Sequence, residues 1–319
     1  MAKMNIAEKR LPQDGRFEVR VGDQNTDLRV STIPTAFGER VVLRLLNKSG
    51  SLLELPDIGL SPRRLKLIQK LVASPNGIIL VTGPTGSGKT TTLYAVLQSI
   101  NKPNINIITI EDPIEYQIKG ISQIQVNPKI DLTFARGLRS IVRQDPDVIL
   151  IGEIRDQETA EIAVQSALTG HLVFSTLHTN DSASAITRLV DMGVEPFLIS
   201  SSVLAVAAQR LVRVLCNNCK KAYKPSEVYL QSIGVSPTHF KERHIYKAAG
   251  CEKCIGTGYS GRLGIFEFMV LTEKLKNLIL ETFDSNQIQT EARREKMMSL
   301  RQDGIQKVLQ GITTIEEVL

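Results

Sequence analysis

One short stretch limits the folds open to this chain more than any other: Gly83-Pro84-Thr85-Gly86-Ser87-Gly88-Lys89-Thr90. It follows an apolar run, Ile78 to Thr82, and opens a helical pattern from Lys89 to Ile100. This is the phosphate-loop pattern G-x-x-x-x-G-K-[ST] in the strand-then-helix context it requires. Glycines let the backbone curl until successive N–H groups point inward, and a helix N-terminus adds partial positive charge. The expected ligand is ATP. Lys89 is expected to reach the β and γ phosphates and Thr90 to hold Mg²⁺, and the cofactor-binding set reads Gly83, Pro84, Thr85, Gly86, Ser87, Gly88, Lys89, Thr90 and Thr91.

The texture around this loop fits an α/β fold. Strands are expected at Ile78 to Thr82, Asn106 to Ile110, Val148 to Ile151 and Leu172 to Leu177. Helical periods lie at Arg63 to Ala73, Lys89 to Ile100, Phe134 to Arg143 and Glu158 to Thr169, the last closed by Gly170. Strands that are apolar throughout and separated by helices imply a mostly parallel sheet covered on both faces. Before it, residues 1–50 alternate like a small antiparallel-sheet α+β module, with a turn at Gly22-Asp23-Gln24-Asn25, and they begin abruptly, as if inside a domain. The expected order is that partial module, a linker at 51–62, a P-loop ATPase core at 63–213, a tetracysteine subdomain at 214–262 and a mainly helical C-terminal region at 263–319. The last region starts with a strand, Leu263 to Val270, and Thr314 with Glu317 resembles the capping box of a final helix.

Phosphoryl transfer needs a carboxylate near the metal and a group that orients or deprotonates the attacking water. Val148-Ile149-Leu150-Ile151-Gly152-Glu153 puts Glu153 at a strand end where a Mg²⁺-binding acid belongs. Thr109-Ile110-Glu111 offers Glu111 as the base, with Asp112 and Glu115 as rivals. His178 follows the strand Leu172 to Leu177, at the sheet edge where ligands bind, and is a candidate γ-phosphate sensor or a structural hydrogen-bonder. Arg29 and Arg44, on β segments that hold them rigidly, are the favoured cations for neutralising transition-state charge; Arg136, Arg139 and Arg143 recur at helical spacing.

Cys216-Asn217-Asn218-Cys219 and Cys251-Glu252-Lys253-Cys254 form two CxxC pairs. Four thiolates suit tetrahedral Zn²⁺ in a closed, structural site, and the sheet context of a thioredoxin-like redox centre is missing. The net charge of +6 is scattered, so nucleotide phosphates or an anionic phospholipid surface suffice as partners. With 5% aromatics and no Trp, no nucleic-acid track is visible. No apolar run approaches the ~20 residues that span a bilayer, which points to the cytoplasm.

Taken together and in order, these motifs resemble the type II secretion and type IV pilus assembly ATPases of the secretion ATPase superfamily. The likeness runs through Leu11-Pro12-Gln13-Asp14-Gly15-Arg16, Gly38-Glu39-Arg40-Val41-Val42-Leu43-Arg44, the phosphate loop, Glu111-Asp112-Pro113-Ile114-Glu115, Ile151-Gly152-Glu153-Ile154-Arg155-Asp156, Ser175-Thr176-Leu177-His178-Thr179-Asn180 and the paired CxxC. It implies a RecA-type core in which Lys89, Thr90 and Glu153 carry nucleotide and Mg²⁺. Glu111 and His178 then belong to the catalytic set, Arg29 and Arg44 reach phosphates, and Arg139 and Arg143 form a second arginine group. It further implies a homohexamer, peripheral on the cytoplasmic face of the inner membrane, that docks on secretion platform proteins and uses ATP hydrolysis to assemble a pseudopilus. The family's N-terminal docking region has no counterpart here, so the chain reads as N-terminally truncated. A pilus extension ATPase is the alternative; a small-molecule kinase or a nucleic-acid translocase leaves the CxxC pairs and the arginine-bearing sheet unexplained.

Overall fold

The structure, a computed structural model, describes residues 2, 4–21, 24–47, 53–232 and 244–319. The turn expected at Gly22-Asp23, the start of the 51–62 linker and the middle of the 214–262 region therefore lie outside the described residues. The chain divides into two compact units. The first comprises residues 1–52 with 115–117, the second residues 53–114 with 118–319.

The first unit is an antiparallel sheet in the order β1 (Gln13–Val21), β2 (Gln24–Thr35), β3 (Gly38–Asn47). Alternation sorts its side chains: Val30 is buried, and Arg16, Arg29 and Arg44 stand at paired positions across the three strands. The alternation expected from the sequence is thus realised as a three-stranded meander.

The second unit is built on a seven-stranded sheet. Its strands are β4 (Gly77–Thr82), β5 (Ile107–Glu111), β6 (Ser122–Gln125), β7 (Val148–Ile151), β8 (Leu172–Leu177), β9 (Val203–Leu215) and, after the two-stranded ribbon β10 (Lys221–Tyr223) and β11 (Ile245–Lys247), β12 (Tyr259–Val270). The spatial order is β12-β9-β4-β8-β7-β5-β6, parallel throughout except that β12 runs against β9. Every residue of β4, β5, β7 and β8 is buried, as strands covered on both faces must be.

Ten helices complete the chain: α1 (Pro62–Val72), α2 (Lys89–Ile100), α3 (Phe134–Ile141), α4 (Gln157–Leu168), α5 (Ser182–Asp191), α6 (Pro196–Ser202), α7 (Glu227–Ser232), α8 (Glu273–Glu281), α9 (Ser285–Arg294) and α10 (Leu300–Leu309) among the described residues. Seven of these starts are set by local side-chain caps. The side chains of Ser61, Thr133, Asp156, Asp181, Thr272 and Asp284 accept first-turn N–H groups, and Ser299 with Gln302 closes a capping box. One core links Leu80, Ile110, Ile149 and Val173 of the sheet to Leu138, Val164 and Ile186 of the helices and onward to Leu275 and Ile288.

The sequence expectations hold to within a residue for β4, β5, β7 and β8. The strand expected from Leu263 to Val270 already begins at Tyr259, across the expected boundary at 262, because it pairs with β9 as far as Leu215. There are three further differences. Phe134 to Arg143 is one helix only to Ile141, after which Val142–Gln144 tightens to a 3₁₀ turn. The long strand β9 carries no expectation at all. Thr314 does not cap a final helix. It is buried with its hydroxyl 3.2 Å from Tyr259 Oη, and Glu317 is drawn to Arg213 instead, so the capping box belongs to Ser299.

Candidate functional site

The phosphate loop leaves β4 at Thr82 and enters α2 at Lys89. Gly88 takes the N-cap position in the left-handed region, φ 87°, with no side chain to cap the helix, so the first N–H groups are left for an external acceptor. Gly83, φ 151°, passes so close to β9 that an added Cβ would lie 2.5 Å from the Gln209 carbonyl oxygen. Both positions therefore require glycine. Lys89 is buried and donates from Nζ to the carbonyls of Gly83 at 2.7 Å and Pro84 at 3.3 Å. Burial pushes its pKa down, Glu153 opposes that, and the charge of Arg210 adds to it. Ser87 Oγ and Thr92 Oγ1 are buried without a hydrogen-bond partner. A curled loop opening onto an uncapped helix N-terminus, a desolvated ammonium and an orphaned hydroxyl fit a phosphate chain. Thr90 and Thr91 are exposed on the first turn of α2, and a hydroxyl paired with a nearby carboxylate is the hard oxygen donor set that suits Mg²⁺.

Two candidate acids occupy different surroundings. Glu153, just after β7, faces His178, whose Nε2 is 3.3 Å from its Oε2, while Arg155 holds the other oxygen. Thr82 of β4 pairs with Leu177 of β8 and Ser175 of β8 with Ile151 of β7, so the segments carrying Lys89, His178 and Glu153 leave the same end of three adjacent strands. Glu111, at the end of β5, is 3% exposed. Its carboxylate accepts from Thr109 Oγ1 at 2.6 Å, Gln123 Nε2 at 3.1 Å and the Tyr94 hydroxyl. Every one of those donors competes with a water. Its rivals differ: Asp112 is exposed, and Glu115 pairs with Arg29 at 3.3 Å. Arg29 is thus anchored within the first unit, while Arg44 is exposed there. Arg139 pairs with Glu158 at 2.5 Å, and Arg143 contacts Ser140 at 3.4 Å.

Sequence reasoning assigned no role to four residues that shape this site. Arg155 was visible in its motif, two positions after Glu153. Tyr94 and Gln123, which enclose Glu111, and Arg210, beside the phosphate loop, carry no local signal.

The four sulfurs of Cys216, Cys219, Cys251 and Cys254 lie within 4.8 Å of one another and form no disulfide. Their separations include 4.0 Å for Cys216–Cys251, 3.8 Å for Cys219–Cys254 and 3.7 Å for Cys251–Cys254. Tetrahedral Zn–S bonds of about 2.3 Å put sulfurs about 3.8 Å apart, so the cage has the size that zinc needs. Asn218 Nδ2, 3.3 Å from Cys251 Sγ, pulls that thiol down to about 6, and burial pushes Cys219 up to about 11. Backbone N–H groups of Cys251 and Gly258 also point at Cys254 Sγ, at 3.2 and 3.1 Å, as they do around metal-bound thiolates.

Known proteins extend the picture. The chain is 58% identical, over its whole length, to the type II secretion system protein E of Pseudomonas aeruginosa, and it spans 63% of that protein. It is 52% identical over its whole length to the type IV pilus assembly ATPase PilB of Thermus thermophilus, of which it spans 36%. Among solved structures, the pilus retraction motor PilT with bound ADP matches 97% of this chain and 77% of its own, at 30% identity and a TM-score of 0.70. The sequence profile of the Type II/IV secretion system proteins matches residues 1–319, and the chain belongs to that family.

Proposed function

We propose that this chain is the ATP-hydrolysing part of a cytoplasmic motor that drives pseudopilus assembly and protein export in type II secretion. The observation that carries the reading is that a buried Lys89 on the phosphate loop and the Glu153–His178 pair, 3.3 Å apart, lie at the same end of adjacent strands β4, β8 and β7. Lys89 and the loop N–H groups bind the phosphates, and Thr90 with Glu153 hold Mg²⁺, which supplies positive charge to the phosphoryl oxygens. His178 is oriented by Glu153 toward the γ-phosphate position. Glu111 enters as the base on the condition that Thr109, Gln123 or Tyr94 releases one of its oxygens. Arg29 and Arg44 neutralise charge that develops in transfer. Cys216, Cys219, Cys251 and Cys254 hold a structural zinc. The working assembly is a homohexamer on the inner membrane, bound to secretion platform proteins and to anionic phospholipid. Among the described residues no helix is long and apolar enough to cross a membrane. Pilus extension is the second reading, because identity to the Thermus thermophilus pilus assembly ATPase also runs the full chain at 52%.

The test is phosphate release from Mg-ATP across a wide range of protein concentration. Lys89→Ala is expected to lower the rate by about 10²–10³-fold with unchanged melting. An unchanged rate removes the reading. Specific activity that climbs with concentration supports the ring, and a flat profile argues for a monomer.

A further inference from the structure

Strand β4 has β8 on one side and β9 on the other, and the loop that leaves β8 with His178 on its way to α5 lies against the end of β4. Two ties hold it there. Thr82, the last residue of β4, receives the Thr179 N–H at 2.8 Å on its Oγ1, and the two hydroxyls lie 2.7 Å apart. From β9, Arg210 NH2 donates to the Asn180 carbonyl at 2.9 Å and to Asn180 Oδ1 at 3.1 Å. Its NH1 donates to the Gln209 carbonyl at 3.0 Å, the same oxygen that Gly83 approaches.

We propose that Arg210 is a positioning residue that ties the His178 loop to β9 beside the entrance of the phosphate loop, where Gly83 packs against the Gln209 carbonyl, so that phosphate occupancy and His178 placement change together. The inference rests on the hydrolytic reading of this site. One guanidinium holds the Asn180 and Gln209 carbonyls at the same time because its donors form a rigid planar fork with separate nitrogens for each; a lysine at this position has one compact ammonium on a flexible stem and does not reproduce that spacing. The tie is also placed where charge counts. Among the described residues Arg210 is satisfied by carbonyl oxygens, so its positive charge is not cancelled by a bound carboxylate, and it acts on Lys89. Burial lowers its own pKa, with Asp181 and Glu267 pulling the other way, yet a guanidinium stays charged at neutral pH. Downstream, Asp181 Oδ1 caps α5 by accepting the Ser184 N–H at 2.8 Å, which leaves residues 178–180 as the part of the loop that Arg210 governs.

The experiment compares wild type, Arg210→Ala, Arg210→Lys, His178→Ala and the His178→Ala/Arg210→Ala double variant. It reads kcat for phosphate release, affinity for a fluorescent ADP, and amide exchange in residues 178–181 with and without ADP. Expected for Arg210→Ala is a fall in kcat of about 100-fold, the scale of a misplaced catalytic group, with ADP affinity within about threefold of wild type. Arg210→Lys should recover little of it, and the double variant should be no slower than the slower single one. ADP should slow exchange of the loop in wild type and leave it unchanged in Arg210→Ala. Loss of ADP binding, multiplicative effects in the double variant, full rescue by lysine, or equal exchange protection overturns the strap. If wild type binds ADP and releases no phosphate, the hydrolytic reading fails, and the exchange measurement still decides on Arg210. Should Arg210→Ala melt below the assay temperature, Arg210→Lys carries the same comparison.

Discussion

The central strands of the seven-stranded sheet and strand β3 of the three-stranded sheet are similarly apolar, yet they bury very different shares of that surface. In β4, β7 and β8 every residue is buried. In β3, Val41 and Leu43 are each 53% exposed and Leu45 is 70% exposed. The difference is one of cover. Helices on both faces turn a continuous apolar run into a core, whereas alternation alone sorts side chains by face and guarantees nothing above that face. Stability should therefore reside in the seven-stranded sheet, and substitutions can test that.

The largest effect is expected at Phe174 in β8, 1% exposed. Phe174→Ala should cost about 3–5 kcal/mol in urea unfolding. A loss under about 1 kcal/mol would break the comparison, since cavities in a packed core cannot be that cheap. Next is the hydrogen-bonded end of β5. Tyr94→Phe removes a buried donor from Glu111 and should cost about 1–3 kcal/mol, with β5 amides exchanging faster. The smallest effect is expected at Leu45, where Leu45→Ser should stay within about 0.5 kcal/mol in the same unfolding assay. A larger loss there would mean that the exposed face of β3 carries stability after all.

The same contrast explains what could be read from the residues. Ile78 to Thr82 and Val148 to Ile151 announce themselves because strands buried on both sides need no polar positions. Strand β9 hides because Val203-Leu204-Ala205-Val206-Ala207-Ala208 is as good a helix as a strand, and Gln209, Arg210 and Arg213 break the apolar run in its second half. Its pairing with β4 and β12 overrides that local ambiguity. The neighbourhood of Lys89, Glu153 and His178 was legible because each residue lies in a motif at the end of an apolar strand. The enclosure of Glu111 was not, because Tyr94 lies on α2 and Gln123 on β6, and only tertiary packing brings them to β5. Arg210 was hidden with its strand.

That strand also has a mechanical consequence. β9 runs without a break in its pairing to β12 from Ala205 to Arg213, and after a register irregularity its last residue, Leu215, pairs with Tyr259 beside the hydrogen bond from Cys216 N to Gly258 O. From Arg210 to Cys216 the chain advances about 20 Å at the rise of a strand. A two-stranded ribbon of this kind bends and twists but does not shorten. The sulfur cage and the surroundings of the phosphate loop therefore sit at the two ends of one paired strand, and the register irregularity between the Arg213–Arg262 and Leu215–Tyr259 pairs is the one place along it where that pairing departs from a regular ladder.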